Sequence, residues 1–514
     1  LELPIKRISA GNRIHFPERV AVAGELAPPA TLSRKAANRM SHRTEMLEKC
    51  RAWLDAHENE MIEDLKSFVS CRSVSRADLA APGAPFGPEN AEMLNRILWR
   101  AARFGFETKN GNGYYGTVTL GKGDDAIGFI AHADVVPEGN HWIHEPYNPV
   151  REGDFLFGRG SSDNKSACVS ALYIMRMIKE LNLPLRHGVK LIVGLSEETG
   201  MQDMVPYNLA EKPCRVTLVP DGRFPVCYAQ KGTLRARVKI ARGEELAGFE
   251  GGEVDNMVPP QAECVVRVSA EEAKAALTAS GFLAPEYEVS SDDAGAKIVA
   301  HGVASHAAAP EHGKSAILML ADALEKAGLM GGASLRAVQA IRFFAQGCYG
   351  EHMDIACEDP DTGKTTMTVG VARTYGDEIE LHADCRLSVA ANPAQMAARF
   401  EEAARNAGLD MIETKTTDPV FIEKTDPRVQ ALQKAYFEMT GDDCPPYTMG
   451  GGTYSRCMEN AITFGLSLPQ PVRPEGLPQG HGGAHAPDEF LYIPHWITGT
   501  MILLNAVLAL DEIV

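Results

Sequence analysis

A chain of 514 residues with 45% hydrophobic and 23% charged residues has the composition of a globular protein and room for two or three domains, each with its own core. A net charge of −17 argues against a nucleic-acid partner and against an anionic membrane surface, since both demand a basic face. The 11 cysteines are scattered and contain no Cys-x-x-Cys pair, which fits reduced thiols in a cytoplasm better than a disulfide framework or a thiolate zinc site.

In chain order, residues 1–42 are rich in Arg, Pro and Ala and lack the apolar core of a secretory signal. They are expected to form a disordered extension, and because the chain opens on Leu1, Met40 or Met46 is expected nearer the natural beginning. Apolar positions 46, 47, 50, 53, 54 and then 61, 62, 65, 68, 69 have the spacing of an amphipathic helix. The apolar run Ile127–Ala131 predicts a buried strand, and it ends in His132-Ala133-Asp134. A period of two puts His132 and Asp134 on the same side at the strand's C-terminal end, where open α/β sheets hold their ligands. Imidazole and carboxylate together suit a divalent metal. Taken alone, the pair reads equally well as a core histidine and a turn cap.

The loop Gly158-Arg-Gly-Ser-Ser-Asp163-Asn-Lys leads into a helix predicted over 167–181. The next apolar runs, Val189–Leu195 and Val216–Pro220, end in Glu197-Glu198 and in Asp221. This alternation of strands and helices indicates an α/β layer structure. After about Lys231 the pattern changes: strand-like runs at Leu234–Ile240 and Glu378–Ala383 and a helical run at Ser315–Leu324 suit an α+β unit. Alternation resumes from about Pro393 and includes His481-Gly-Gly-Ala-His485-Ala-Pro-Asp488-Glu489. The run Met501–Leu510 is too short to span a bilayer and is interrupted by Asn505, so it is expected as a buried C-terminal helix. If the first and last segments feed one site, the middle is an insertion. The expected division is 43–230, an inserted 231–389, and 390–514.

Other motifs fail. Gly313-Lys314-Ser315 is not a phosphate loop, because the leading glycine would fall at Ala308. Gly450-Gly451-Gly452 lacks the dinucleotide spacing, although a glycine run can still form a backbone nest for a carboxylate. No His-Glu-x-x-His occurs; after His144-Glu145 the fifth position is Asn148.

Taken in order, His132-x-Asp134, Asp163 in Gly-Arg-Gly-x-x-Asp, Glu197-Glu198, Asp221 and His485 resemble the motifs of the dinuclear zinc exopeptidases, the aminoacylase, carboxypeptidase and desuccinylase type. Pro220-Asp221-Gly-Arg-Phe-Pro225, Asn256-Met-Val-Pro259 and Gly450-Gly-Gly-Thr453-Tyr are most similar to the peptidase V-type dipeptidases. The resemblance implies an α/β sandwich catalytic domain carrying an inserted α+β lid, ferredoxin-like and in two parts. It implies two divalent metal ions per chain, zinc with manganese or cobalt as alternatives. Asp163 would bridge them, with Glu198 and His485 completing one site and His132 and Asp221 the other. Asp134 would orient His132, and Glu197 would be the general base. In the lid, His306 would stabilise the oxyanion, while Asn256, Arg386, Gly451 and Gly452 would hold substrate. The Asp163–Asn164 peptide is expected to be cis. The resulting expectation is a cytoplasmic, monomeric metallopeptidase acting on dipeptides with a free N-terminus, with no nucleic-acid or membrane partner. Alternatives are an N-acyl amino-acid deacylase or desuccinylase with the same metals and, more remotely, a non-catalytic metal-dependent binding protein.

Overall fold

The computed structural model describes residues 34–514, with side chains from residue 43 onward. The extension expected over 1–42 falls on residues outside this description, up to the start of the helix Arg34–Val69. The chain divides into two compact units. The first comprises the described residues up to Pro225 together with Ala431–Cys444 and Phe464–Val514; the second comprises Val226–Gln430 and Pro445–Thr463.

In the first unit, strands Glu107–Asn110, Gly116–Leu120, Gly188–Gly194, Ala126–His132 and Val216–Val219 lie side by side in that order. The last three are mutually parallel. Every residue of Ala126–His132 and of Gly188–Gly194 is buried, which is why both read as continuous apolar runs rather than as alternating ones. The register pairs His132 with Gly194 and Phe129 with Leu218, so two of the strands end together and the third stops two residues earlier. Helix Lys165–Glu180 packs on strands Ala126–His132 and Gly188–Gly194, and Pro88–Arg103 packs on Glu107–Asn110 and Gly116–Leu120. The helix Arg34–Val69 buries Cys50, Leu54, Met61, Ile62, Leu65, Phe68 and Val69, nearly the stripe its spacing predicts.

The C-terminal helix runs Ile493–Asp511, longer than the apolar run suggested. Its length and hydropathy would allow a membrane span, but 78% of its apolar window is buried inside the fold. Asn505 does not interrupt it: its side-chain amide donates to the Ala435 carbonyl at 3.1 Å and its Oδ1 accepts from Arg43.

The second unit is built on an eight-stranded antiparallel sheet, in the order Tyr287–Asp292, Gly295–His301, Gln261–Val266, Leu246–Gly251, Thr366–Tyr375, Glu378–Leu387, Gly232–Ala241, Asp410–Thr417. The β-ladder between its halves is a single residue pair, Gly251 with Ala372, supplemented by side-chain hydrogen bonds such as Phe249 N to Thr374 Oγ1. Helices Ala270–Ala279 and Ala316–Ala327 pack on one half; Gly332–Ala345 and Pro393–Asn406 pack on the other. The sheet is thus in two parts, each with its own helix pair. Burial alternates strictly along Gly295–His301, as expected of a strand with one face on a core. The border expected at residue 389 does not coincide with a border between compact units. Strand Asp410–Thr417 pairs with Gly232–Ala241 from Thr233–Thr417 to Lys239–Asp410, and this pairing holds the intervening helix in the second unit.

Candidate metal centre and active site

Three neighbouring parallel strands deliver acidic and imidazole groups to one end of the sheet in the first unit. The central strand ends in His132. On one side the Gly188–Gly194 strand runs on to Glu197 and Glu198; on the other, Val216–Val219 runs on to Asp221. The helix Lys165–Glu180 is preceded by Asp163, and His485 enters from the C-terminal segment.

The Asp163 carboxylate lies between the two imidazoles. Its Oδ1 is 3.0 Å from His132 Nε2 and its Oδ2 is 3.2 Å from His485 Nε2. His132 Nε2 is also 3.9 Å from Asp221 Oδ1, and His485 Nε2 is 3.0 Å from Glu198 Oε1. Two ligands each about 2.0–2.1 Å from a tetrahedral zinc are roughly 3.3 Å apart, so these separations suit pairs of groups sharing a cation. The donor set is imidazole and carboxylate, acceptable to zinc, manganese or cobalt. His132 Nδ1 is 3.0 Å from the Asp134 carbonyl, which fixes the proton there and turns the Nε2 lone pair toward Asp163 and Asp221. Ligand atoms of His132, Glu197 and Asp221, and of His132, Asp163 and Glu198, also lie within 4.8 Å of one another. The residues fit a dinuclear metal site.

Asp134 has a second task that its sequence position does not reveal. Its two carboxylate oxygens accept from the backbone N–H groups of Glu197 and Glu198, each at 3.2 Å, and so hold the Glu pair against the His132 strand. Its Oδ1 is 3.5 Å from His132 Nδ1. Sequence reasoning also missed Asn164, whose Nδ2 donates to Asp221 Oδ1 at 2.9 Å, and Asp203, whose Oδ2 accepts from Leu195 N and Ser196 N at the end of the Glu197 strand. The Asp163–Asn164 peptide is cis, as expected.

Burial raises Asp163, but the two imidazoles outweigh it and hold the carboxyl well below the usual range. Burial pushes Asp221 up to about 7, although His132 opposes it. Burial, then Asp221 beside it, holds Glu197 well above the ordinary carboxylate range. Hydrogen bonds donated to the Asp163 and Glu198 carboxylates raise His485 to about 10. Burial alone would lower His132, but Asp134 and Asp163 more than reverse this.

Without metal, both imidazoles are therefore protonated at neutral pH and Asp221 is partly protonated. A cation needs them deprotonated. Metal binding at pH 7 should expel protons, and affinity should climb with pH from about 6 through about 10. Titration calorimetry in two buffers of different ionisation heat should show net proton transfer to buffer. Zero release would contradict these charge states. The sign for folding is the opposite: a His485 value raised to about 10 contributes stability fully below about 6.5, and that contribution disappears as pH rises through about 10.

The second unit gathers the other expected residues. His306 is register partner to Met257, next to Asn256, and the Asn256 carbonyl accepts from Ala307 N at 2.8 Å. His306 Nδ1 accepts from Ala308 N at 3.1 Å, which leaves its proton on Nε2. Arg386 is register partner to Thr366, whose hydroxyl donates to the Ala307 carbonyl. Arg386 Nη1 donates to the Gly450 carbonyl at 3.2 Å, and Asp384, fully buried, takes its Nε and Nη2. A Cβ at Gly450 would stand 2.6 Å from Ala308 Cβ, so the glycine run lies against the His306 segment. Gly452 packs beneath the Arg456 guanidinium, whereas Gly451 faces open space. Within the glycine run, the hydrogen bond from Arg386 is taken by Gly450.

A carboxylate shared by two imidazoles, ringed by further carboxylates at the ends of parallel strands, defines a metal-dependent hydrolase centre. Residues 128–509 match the family described as Peptidase family M20/M25/M40, and the chain belongs to that family. The Bacillus subtilis (strain 168) protein named "Putative dipeptidase YtjP" is 29% identical over 464 residues, 88% of this chain and 97% of that one. A Staphylococcus saprophyticus relative of the same designation, SSP1012, is 29% identical over 425 residues, 80% of this chain and 90% of that one. Among solved structures, human carnosine dipeptidase 1 matches with a TM-score of 0.52 at 16% identity, covering 91% of this chain and 100% of that one. The di-peptidase Dug1p from Saccharomyces cerevisiae matches with a TM-score of 0.55 at 11% identity, covering 91% and 98%. At such identities these two establish the shared fold.

Proposed function

We propose that this protein is a di-metal dipeptidase that hydrolyses dipeptides with a free N-terminus. The observation that carries the reading is the Asp163 carboxylate, one oxygen toward His132 and the other toward His485, with Glu197 beside them. The names borne by the relatives spanning most of the chain support the substrate class.

Two bound cations would supply Lewis acidity to the scissile carbonyl and to the attacking water. His132 and Asp221 would hold one, Glu198 and His485 the other, and Asp163 would serve both. Glu197 takes the proton of the attacking water and hands it to the leaving amine. The proton on His306 Nε2 gives that side chain a donor for the oxyanion. Arg386, oriented by Asp384, retains N–H groups for the substrate's C-terminal carboxylate, and Asn256 and the glycine run with Gly451 and Gly452 hold the remainder. The second unit acts as the inserted lid. Zinc is the metal in this reading, with manganese or cobalt as alternatives. The enzyme is a cytoplasmic monomer, where its eleven cysteines, outside any disulfide, suit a reducing compartment.

A panel of dipeptides, including β-alanyl ones, set against tripeptides and against acetyl- and succinyl-amino acids tests the reading. With both substrate ends anchored, only one peptide bond falls on the reacting groups. A misplacement on the ångström scale can cost about 10²-fold. Dipeptides should be cleaved, tripeptides poorly, and N-acetylated dipeptides not at all. Acetyl- or succinyl-amino acids as the better substrates would replace this reading with a deacylase.

A further inference from the structure

His485 is the most exposed of the metal-centre side chains: 53% of its side chain is accessible, and its backbone sits at φ 63°, in the left-handed region. Packing of the imidazole therefore does not place it. Four residues later, Glu489 is completely buried. Its Oε1 accepts from Ser162 N at 2.9 Å, Ser162 Oγ at 3.0 Å and Asp163 N at 3.0 Å. Its Oε2 accepts from Gly160 N at 3.0 Å and from Arg159 Nη1 at 2.8 Å. The Glu489 carbonyl accepts from Gly158 N at 2.9 Å. Arg159 is itself buried, with its guanidinium 5.0 Å from the Trp142 ring centroid. Glu489, through its carboxylate and its backbone carbonyl together, thus grips the 158–163 loop from its first residue to Asp163. Next to it, buried Asp488 accepts from Ile143 N, His144 N and His481 Nδ1. The base of the segment that carries His485 is tied by two carboxylates to the chain on either side of it.

We propose that Glu489 is a positioning residue that fixes the distance between His485 and Asp163, and through it the affinity of the metal these two share. The proposal rests on the dinuclear-metal reading above. Glu489 is not a base or a ligand: both oxygens are occupied by five donors and face the loop rather than the imidazoles. A buried charge with every lone pair satisfied defines one geometry, because any shift leaves a donor or the carboxylate unpaired in a low-dielectric interior. Ligands must be held within about 0.5 Å of their productive positions, and partners that orient them typically govern metal affinity by about 10–100-fold.

Glu489→Gln is the sharpest test. Glutamine has the same shape, yet either orientation of its amide turns an N–H group toward donors, Ser162 and Asp163 on one side or Gly160 and Arg159 on the other. Stepwise zinc affinities are to be measured by competition with a chromophoric chelator, and the cobalt(II)-loaded protein examined by visible absorption, with folding followed by circular dichroism. The expected result is a folded variant that binds one zinc with near-native affinity and the other about 10–100-fold more weakly, with the absorption of one cobalt site altered. Ser162→Ala removes one donor to Oε1 and leaves the loop backbone in place. It should weaken the same site severalfold, and it decides the matter if Glu489→Gln does not fold. Native affinity at both sites in the folded variants would overturn the proposal, as would equal weakening of the two sites. Wild-type protein that binds fewer than two zinc ions would overturn the dinuclear reading itself, and the proposal with it.

Discussion

Glu197→Ala is expected to abolish turnover while leaving the metal content unchanged. The backbone of Glu197 is held by Asp134, not by its own side chain, so truncation removes a carboxylate without releasing the turn that carries Glu198. General-base assistance is typically worth roughly 10²–10⁴-fold in rate. Burial and Asp221 already hold the Glu197 carboxyl well above the ordinary range, which suits a group that must take a proton and give it back near neutral pH. The fall should appear in kcat, with KM for a dipeptide little changed, because the base is not a binding group. Glu197→Gln should resemble the alanine variant, since an amide keeps the shape but cannot accept the proton. Metal analysis and steady-state kinetics on the same preparation check both halves. A near-native rate would remove Glu197 from its role. Lost metal would show instead that it is a ligand, which its closeness to His132 and Asp221 makes a real alternative outcome.

The strand ends were legible in the sequence for a physical reason. Parallel strands covered on both faces read as unbroken apolar runs, and a polar residue closing such a run marks the sheet's carboxyl edge, as His132, Glu197 and Asp221 do. Shared occupancy of one point by Asp163 and His485 was not legible, because it arises from tertiary packing across distant segments; it entered through the resemblance of the ordered motifs. Asp134 looked like a partner for His132 alone, and its grip on the Glu197–Glu198 backbone is visible only in three dimensions. Asp488-Glu489 reads as an acidic pair in a turn-rich stretch, indistinguishable from a solvated turn until the donors around it are seen. The strand pairing that reaches across residue 389 was hidden for a similar reason. Asp410–Thr417 is a largely exposed edge strand with weak patterning, so nothing local announces that it joins Gly232–Ala241. The C-terminal helix was underestimated because Asn505 read as an interruption, whereas buried partners satisfy it within a longer helix.

The second large effect concerns the ligands, and the two histidine-linked oxygens of Asp163 make it asymmetric. His485→Ala should remove one metal and spare the other, because His132 and Asp221 stand on the far side of Asp163. Asp163→Ala should remove both. It deletes a partner of each imidazole together, and it leaves Asp221, Glu198 and Glu197 crowded without a shared cation to offset their repulsion. Elemental analysis after gentle purification should therefore read two, one and none for wild type, His485→Ala and Asp163→Ala. Turnover should be lost in both variants, because the Lewis acidity that a two-metal site would supply needs both ions. The order of loss is the informative part. If His485→Ala released both ions, the two sites would be cooperative rather than merely adjacent. Full occupancy in either variant would show that the residue is not a ligand, and the His485–Glu198 contact at 3.0 Å would then be an ordinary ion pair at the rim of the site.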